Sequence, residues 1–430
     1  MATDLASHIE ETPLVDTHEH MKREPAWVDD GPDILQDLFG NYVGADLRTA
    51  GASEEAMQRL FDASDPDTAG RFRGIEAAWR ATQFTGYGEA VSLIARHAYG
   101  LDELTADGLA AAQGRTTELR APGERYRLLH DVANLDQVQT DDGLWECAPD
   151  PSGLDFFLYD LSWFSFCRGD VDPPAIHAAT GIEVTDLPSL RRAMEAIFAT
   201  HAPCAIAVKA QHAYARTLRW IERSDADAAT ALDAILRRPK DQVDLDTWLC
   251  LGDWCWARGV ELTIEHDLPF KIHTGYYAGN DRMPVEFIPA GNMCALFARY
   301  LDAKFVLMHI AYPYCDELVA LAKHYRNIWV DLCWAWSIDP YSSRDFVRRF
   351  IHAAPINKLF AFGGDTGWPT SAMAYAMQAR RGIRAALEAE VADGDLTEKQ
   401  AMQVASRIMR DNQYDCFDLE GTRANIRTAA

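Results

Sequence analysis

The stretch VDTHEHM, residues 15–21, carries two histidines one residue apart, directly after an apolar pair. In a strand, residues i and i+2 project from the same face, so His18 and His20 would stand together, roughly 7 Å apart along the backbone. Two imidazoles so placed can hold one metal ion between them. The plainer reading is a surface His-x-His in a loop. Four more residues with suitable chemistry follow short apolar runs: Lys209 after AIAV, His273 after PFKI, His309 after FVLM and Asp365 after LFAFGG. A single histidine ending a strand is more often a hydrogen-bonded structural residue than a ligand. Six metal-competent or basic side chains ending five separate apolar runs are hard to assign to coincidence.

Something must bring those ends together. Strand-length apolar runs recur along the chain: 13–18, 132–140, 153–161, 203–210, 269–275, 303–310, 327–334 and 358–365. The last four are mostly apolar and bounded by Pro, Gly, Asn or Asp, as strands buried on both faces are. Amphipathic segments lie between them, at 186–201, 244–267, 292–302, 315–325 and 343–355. Strict strand–helix alternation predicts a parallel sheet. Eight strands predict an α/β fold of the closed (β/α)8, TIM-like barrel type, whose reactive groups collect at the C-terminal mouth of the strands. An open doubly wound sheet competes, but no glycine-rich phosphate loop follows the first strand. Residues 21–130 break the rhythm. They read as a helical insertion after the first strand (1–20), a lid over the mouth, with 131–430 forming the rest of the barrel and its closing helices.

Composition narrows the classes. The chain has 430 residues, 48% of them hydrophobic, and a formal net charge of −24 from 65 acidic and 41 basic residues. That excess disfavours a nucleic-acid partner, whose phosphates it repels. Nine cysteines are scattered without a CxxC pair or disulfide framework, as in a cytoplasmic protein with reduced core thiols. Neither a basic-then-apolar leader nor a run of 18 apolar residues is present, so a membrane is not expected to be a partner.

The order His-x-His, Lys, His, His, Asp at strands 1, 4, 5, 6 and 8 resembles the amidohydrolase superfamily. The strings DTHEH, KIHTG, MHIAYPY and FGGDT are similar to its amidohydrolase-related branch, and to decarboxylase and uronate isomerase relatives. The resemblance covers nearly all of 13–370. It implies that His18, His20 and Asp365 bind one divalent metal with His273 as a fourth ligand. Zn2+ is the expected ion, with Mn2+ and Fe2+ chemically acceptable. It further implies that Asp365 accepts the proton of an activated water, while His309 polarises the substrate or stabilises developing negative charge. In some members the strand-4 lysine is carboxylated and bridges two metals. The neighbouring His212 and Arg216 favour the other reading, in which Lys209 stays a cation that binds a substrate anion.

The loops after the strands are aromatic, with Tyr276, Tyr277, Tyr312, Tyr314, Trp334, Trp336 and Trp368, which fits a pocket with apolar walls and a few polar anchors. Tyr276, Trp334 and Arg282 are expected to contact substrate. Glu19 should face away from the histidine pair in a regular strand. The expected activity is hydrolysis of an amide or related C–N bond in a small carboxylated substrate, by a chain that self-associates. Decarboxylation of an aromatic or unsaturated acid, isomerisation of a uronate-like sugar acid, and a degenerate barrel kept as a scaffold are the competing readings.

Overall fold

The structure is a computed structural model that describes residues 4–430. Eight parallel strands run in chain order around one sheet: β1 Leu14–Glu19, β2 Leu135–Thr140, β3 Phe157–Ser162, β4 Ala205–Ala210, β5 Pro269–Ile272, β6 Lys304–Leu307, β7 Ile328–Asp331 and β8 Leu359–Phe360. All eight coincide with the apolar runs read from the sequence. β8 is shorter than its run because the chain leaves the β7 ladder after Phe360 and continues along β1. Backbone bonds from Thr17 N to Phe362 O (3.1 Å), Asp365 N to His18 O (2.9 Å) and His20 N to Thr366 O (3.1 Å) close the barrel there.

Helices cover the outside, as parallel strands buried on both faces require. Those at Leu187–His201, Leu245–Glu265, Cys315–His324 and Pro340–Ala353 each lead into the next strand. The first begins with a capping box in which Asp186 accepts from Ser189 N at 2.8 Å, so its sequence marks its own start. The C-terminal helix Leu419–Ala429 plugs the N-terminal end of the barrel: Leu419 and Ile426 pack with Leu158, Ile206, Val306 and Phe360.

Between β1 and β2 the chain forms short helices, from Glu24–Asp30 to Glu124–Arg127. They pack on the barrel's closing helices, chiefly through Gly86–Tyr99 against Pro369–Asp393. No helix among the described residues is long and apolar enough to cross a membrane.

Candidate metal centre

β1 delivers the histidine pair. His18 is fully buried and His20 is one-third exposed at its side chain. Their Nε2 atoms approach to 3.3 Å, and Asp365 Oδ1 lies 3.1 Å from the first and 3.4 Å from the second. His20 Nδ1 donates to the Asp141 carbonyl at 2.9 Å, which orients the ring with its Nε2 toward the group. Two imidazole nitrogens and a carboxylate so arranged need a cation or a proton between them. Burial alone would lower the pKa of His20, but the hydrogen bond and charge of Asp365 raise it. Burial alone would raise Asp365, yet the bonds from His18 and His20 hold it well below the usual carboxylate range. The donor set therefore fits a divalent ion, and its three ligand atoms all lie within 4.8 Å of one another.

Close backbone approach puts Asp365 there. A Cβ on Gly364 would collide with Glu19 Oε1, and one on Gly363 would lie 2.8 Å from both Thr17 Oγ1 and Cys333 Sγ. A larger residue at either position would have to push these buried side chains aside. Glu19 is not a bystander. The register of β1 is irregular between Asp16 and Glu19, and Glu19 Oε2 accepts from Thr366 N at 2.6 Å, just beyond Asp365.

Lys209 lies inside this group, not beside it. Its Nζ is 2.8 Å from His18 Nε2, and its side chain is fully buried. Lys271, on β5, pairs with Asp160 (2.8 Å) beneath, and Asp160 Oδ2 stands 3.8 Å from His18 Nδ1. His309 Nε2 is 3.9 Å from Asp365 Oδ2 and has no hydrogen-bond partner among the described residues. Its Nδ1 faces the Cys333 carbonyl at 3.0 Å, an acceptor only, so Nδ1 carries the proton and Nε2 a lone pair. Burial pushes His309 down to about 4. In that tautomer Nε2 has no proton of its own, so stabilising a developing negative charge would require the ring to take up a proton first. It is built to accept a proton or a cation. His273, expected as the fourth ligand, stands outside the three-residue cluster. Its Nε2 donates to Tyr276 O at 3.0 Å, and its ring is 4.4 Å from that of His309.

The backbone around the site is strained. Among the described residues, eight non-glycine residues have positive φ, and His309, Ile310, Ala311, Trp334 and Asp365 are five of them. For Ile310, which is β-branched, this is a true outlier. Such conformations cost about 1–3 kcal/mol each and persist where the surroundings impose them, most often at functional sites.

Aromatic rings wall the mouth. Trp334 stands edge-on to His309 at 5.4 Å, with Tyr276 at 5.9 Å from it. Two further rings come from the helical insertion: Tyr42 at 4.3 Å from Trp334 and Tyr87 at 6.2 Å. The Tyr42 hydroxyl also donates to the Asp365 carbonyl. Sequence reasoning misses both, because nothing in their local pattern ties them to a strand end.

Three expected substrate contacts lie elsewhere. Arg216 is committed to Asp253 (2.6 Å) and to the carbonyls of Cys167, Thr217 and Arg219. His212 is fully buried, edge-on to Trp256 at 4.2 Å. Arg282 is exposed and donates to Tyr214 O at 2.7 Å. Arg216 is therefore not free to bind a substrate anion beside Lys209, while His212 is buried with neither ring nitrogen hydrogen-bonded among the described residues.

A family model described as Amidohydrolase matches residues 169–412, a span that contains Lys209, His273, His309 and Asp365. The chain belongs to the amidohydrolase family. Among curated proteins, this amidohydrolase is 27% identical over 208 residues to Protein fluG of Emericella nidulans, a match covering 47% of the chain and 23% of that protein. Solved structures share its fold across nearly the whole chain. A glucuronate isomerase from Caulobacter crescentus has a TM-score of 0.79 at 16% identity, covering 97% of this chain and 93% of its own. A uronate isomerase from Thermotoga maritima has a TM-score of 0.78 at 14% identity, covering 96% of each chain. A candidate metal-dependent hydrolase from Lactobacillus casei has a TM-score of 0.66 at 16% identity, covering 98% and 99%.

Proposed function

We propose that this amidohydrolase is a metal-dependent hydrolase that cleaves an amide or related C–N bond in a small anionic substrate. The observation that carries the reading is the convergence of His18 Nε2, His20 Nε2 and Asp365 Oδ1 beside the unpartnered Nε2 of His309. His18, His20 and Asp365 would hold one divalent ion, with Zn2+ the best match to two imidazoles and a carboxylate. When bound, such an ion polarises a carbonyl and lowers the pKa of water toward neutrality.

The chain's own groups supply the rest. Asp365, held ionised by its histidines, is the proton acceptor through Oδ2, the oxygen nearer His309. His309 Nε2 offers a second lone pair for a proton on its way to the leaving nitrogen. Trp334, Tyr276, Tyr42 and Tyr87 keep bulk water from the reacting atoms, which strengthens every charge interaction inside. Lys209 supplies the positive charge that favours an anionic substrate.

Isomerisation of a uronate is the second reading. The fold likeness to two uronate isomerases favours it, because it extends over the helical insertion as well as the barrel. Against it stand the aromatic walls and the commitment of Arg216 and Arg282 to partners within the chain. Zn2+-loaded protein should be incubated with N-acyl amino acids, uronates and aromatic acids in parallel. Amine release supports hydrolysis. Conversion of a uronate to an isomer of equal mass, without amine release, replaces it with the second reading, and carbon dioxide release replaces it with a lyase.

A further inference from the structure

Asp365 is a carboxylate ligand in an unfavourable backbone conformation, with φ +58°. Something outside β8 must hold it there, because the strand itself ends at Phe360. Its own N–H donates to His18 O at 2.9 Å, and the next N–H, of Thr366, donates to Glu19 Oε2 at 2.6 Å. Both of these partners belong to β1. The Thr366 carbonyl in turn accepts from His20 N, again on the β1 side, whereas the Asp365 carbonyl is met by the Tyr42 hydroxyl.

Tyr42 does not belong to the barrel. It precedes the helix Val43–Thr49 of the insertion, and its neighbour Asn41 reaches toward Ser371 on the helix after β8, at 3.5 Å. Its ring lies 4.3 Å from that of Trp334, which in turn is edge-on to His309 at 5.4 Å. One side chain of the insertion therefore touches both the turn that presents the carboxylate and the wall beside the unpartnered histidine.

We infer that Tyr42 is a positioning residue for the metal centre: its hydroxyl fixes the carbonyl of Asp365, and so the helical insertion sets how tightly the barrel holds its metal. The inference rests on the metal reading of His18, His20 and Asp365. The physical reason is that a carboxylate ligand binds well only if its orientation is fixed before the ion arrives. Removing one outer partner of a ligand typically weakens metal affinity about 10- to 100-fold. A hydroxyl that merely stabilised the insertion would change the melting temperature and leave metal affinity alone.

The test is Zn2+ affinity of the full chain, measured by competition with a chromogenic chelator, together with the melting temperature of the metal-free protein. Y42F keeps the ring contact with Trp334 and deletes only the hydroxyl. It should weaken Zn2+ binding by about 10-fold or more. Y99F is the control: the Tyr99 hydroxyl is also in the insertion but donates to Asp37 at 2.6 Å and not to the Asp365 turn. It should lower the melting temperature without moving Zn2+ affinity. Unchanged affinity in Y42F overturns the inference. Equal weakening in both variants overturns it as well, since the effect is then general to the insertion. Loss of the folded state in Y42F would assign the hydroxyl to global stability and overturn it too. A wild-type chain that takes up no Zn2+ removes the metal reading itself, which separates that failure from the others.

Discussion

The ammonium nitrogen of Lys209 lies 2.8 Å from Nε2 of His18, the nitrogen that also faces Asp365 Oδ1 at 3.1 Å. That nitrogen thus faces a donor and an acceptor at once, and an ion bound by His18 needs the same lone pair that would accept from the ammonium. A metal entering the group must displace Lys209 from that bond. If Lys209 acts as a cation, K209M should bind Zn2+ at least as tightly as wild type, since a nearby positive charge has been removed. Elemental analysis should give one metal per chain in both proteins. Two metals in wild type and fewer in K209M, with a carbamate carbon visible by NMR after growth on labelled bicarbonate, would instead make Lys209 a carboxylated bridging ligand.

The two histidines of β1 should differ in what their loss does to the fold. His18 is fully buried, with Lys209 and Asp160 around it, so His18→Ala leaves charged groups facing an empty space. A buried group left unsatisfied costs about 1–3 kcal/mol. His20 is one-third exposed, and water can take over its bonds. Both variants should lose most bound metal. In metal-free denaturant titrations H18A should be clearly weakened and H20A close to wild type. Full metal occupancy in either variant would end its assignment as a ligand.

His309 gives the metal-free protein a pH dependence. Its pKa is about 4 in the folded chain, against 6.5 ordinarily, because burial disfavours the charged ring. Between those values the unfolded chain binds a proton that the folded chain does not, so stability is whole above about 6.5 and falls as the pH drops toward 4. The shift corresponds to roughly 3 kcal/mol over that window. H309N, which cannot take up the proton, should show a shallower decline between pH 6.5 and 4 in chemical denaturation at a series of pH values. An unchanged slope would mean that His309 does not titrate as its burial implies.

The residues that end apolar runs are readable because a barrel turns each strand end into the same place in space. His18, His20, Lys209 and Asp365 meet for that reason, although 191 residues separate the first from Lys209. Arg216 misleads because nearness in sequence is not nearness in space. After β4 the chain turns through His212–Tyr214, and Arg216 pairs with Asp253 on the outer helix Leu245–Glu265. Strict alternation turns Glu19 away from the histidine pair, which leaves it a structural role, and its carboxylate holds the Thr366 N–H of the turn after Asp365. Tyr42 leaves no trace in the pattern. Its role depends on how a helical segment folds back over a barrel, and no local periodicity records that.

Asp365 is where ligand and base would be one residue, and the two roles separate in a single substitution. Asp365→Asn keeps the shape and an oxygen that can still coordinate. It keeps the backbone bonds to His18 and Tyr42, so the turn should survive. The amide has no basic lone pair comparable to a carboxylate and cannot take a proton from water. Positioned acid–base catalysis is worth about 10² to 10⁴ in rate. With a cleaved substrate in hand, D365N should therefore lower kcat by at least about 10²-fold even when Zn2+ is resupplied to saturation. A fall confined to metal affinity, with kcat restored at saturating Zn2+, would leave Asp365 as a ligand only. The proton would then go to His309, whose Nε2 lone pair lies 3.9 Å from Asp365 Oδ2, and H309N would show the kcat loss in its place.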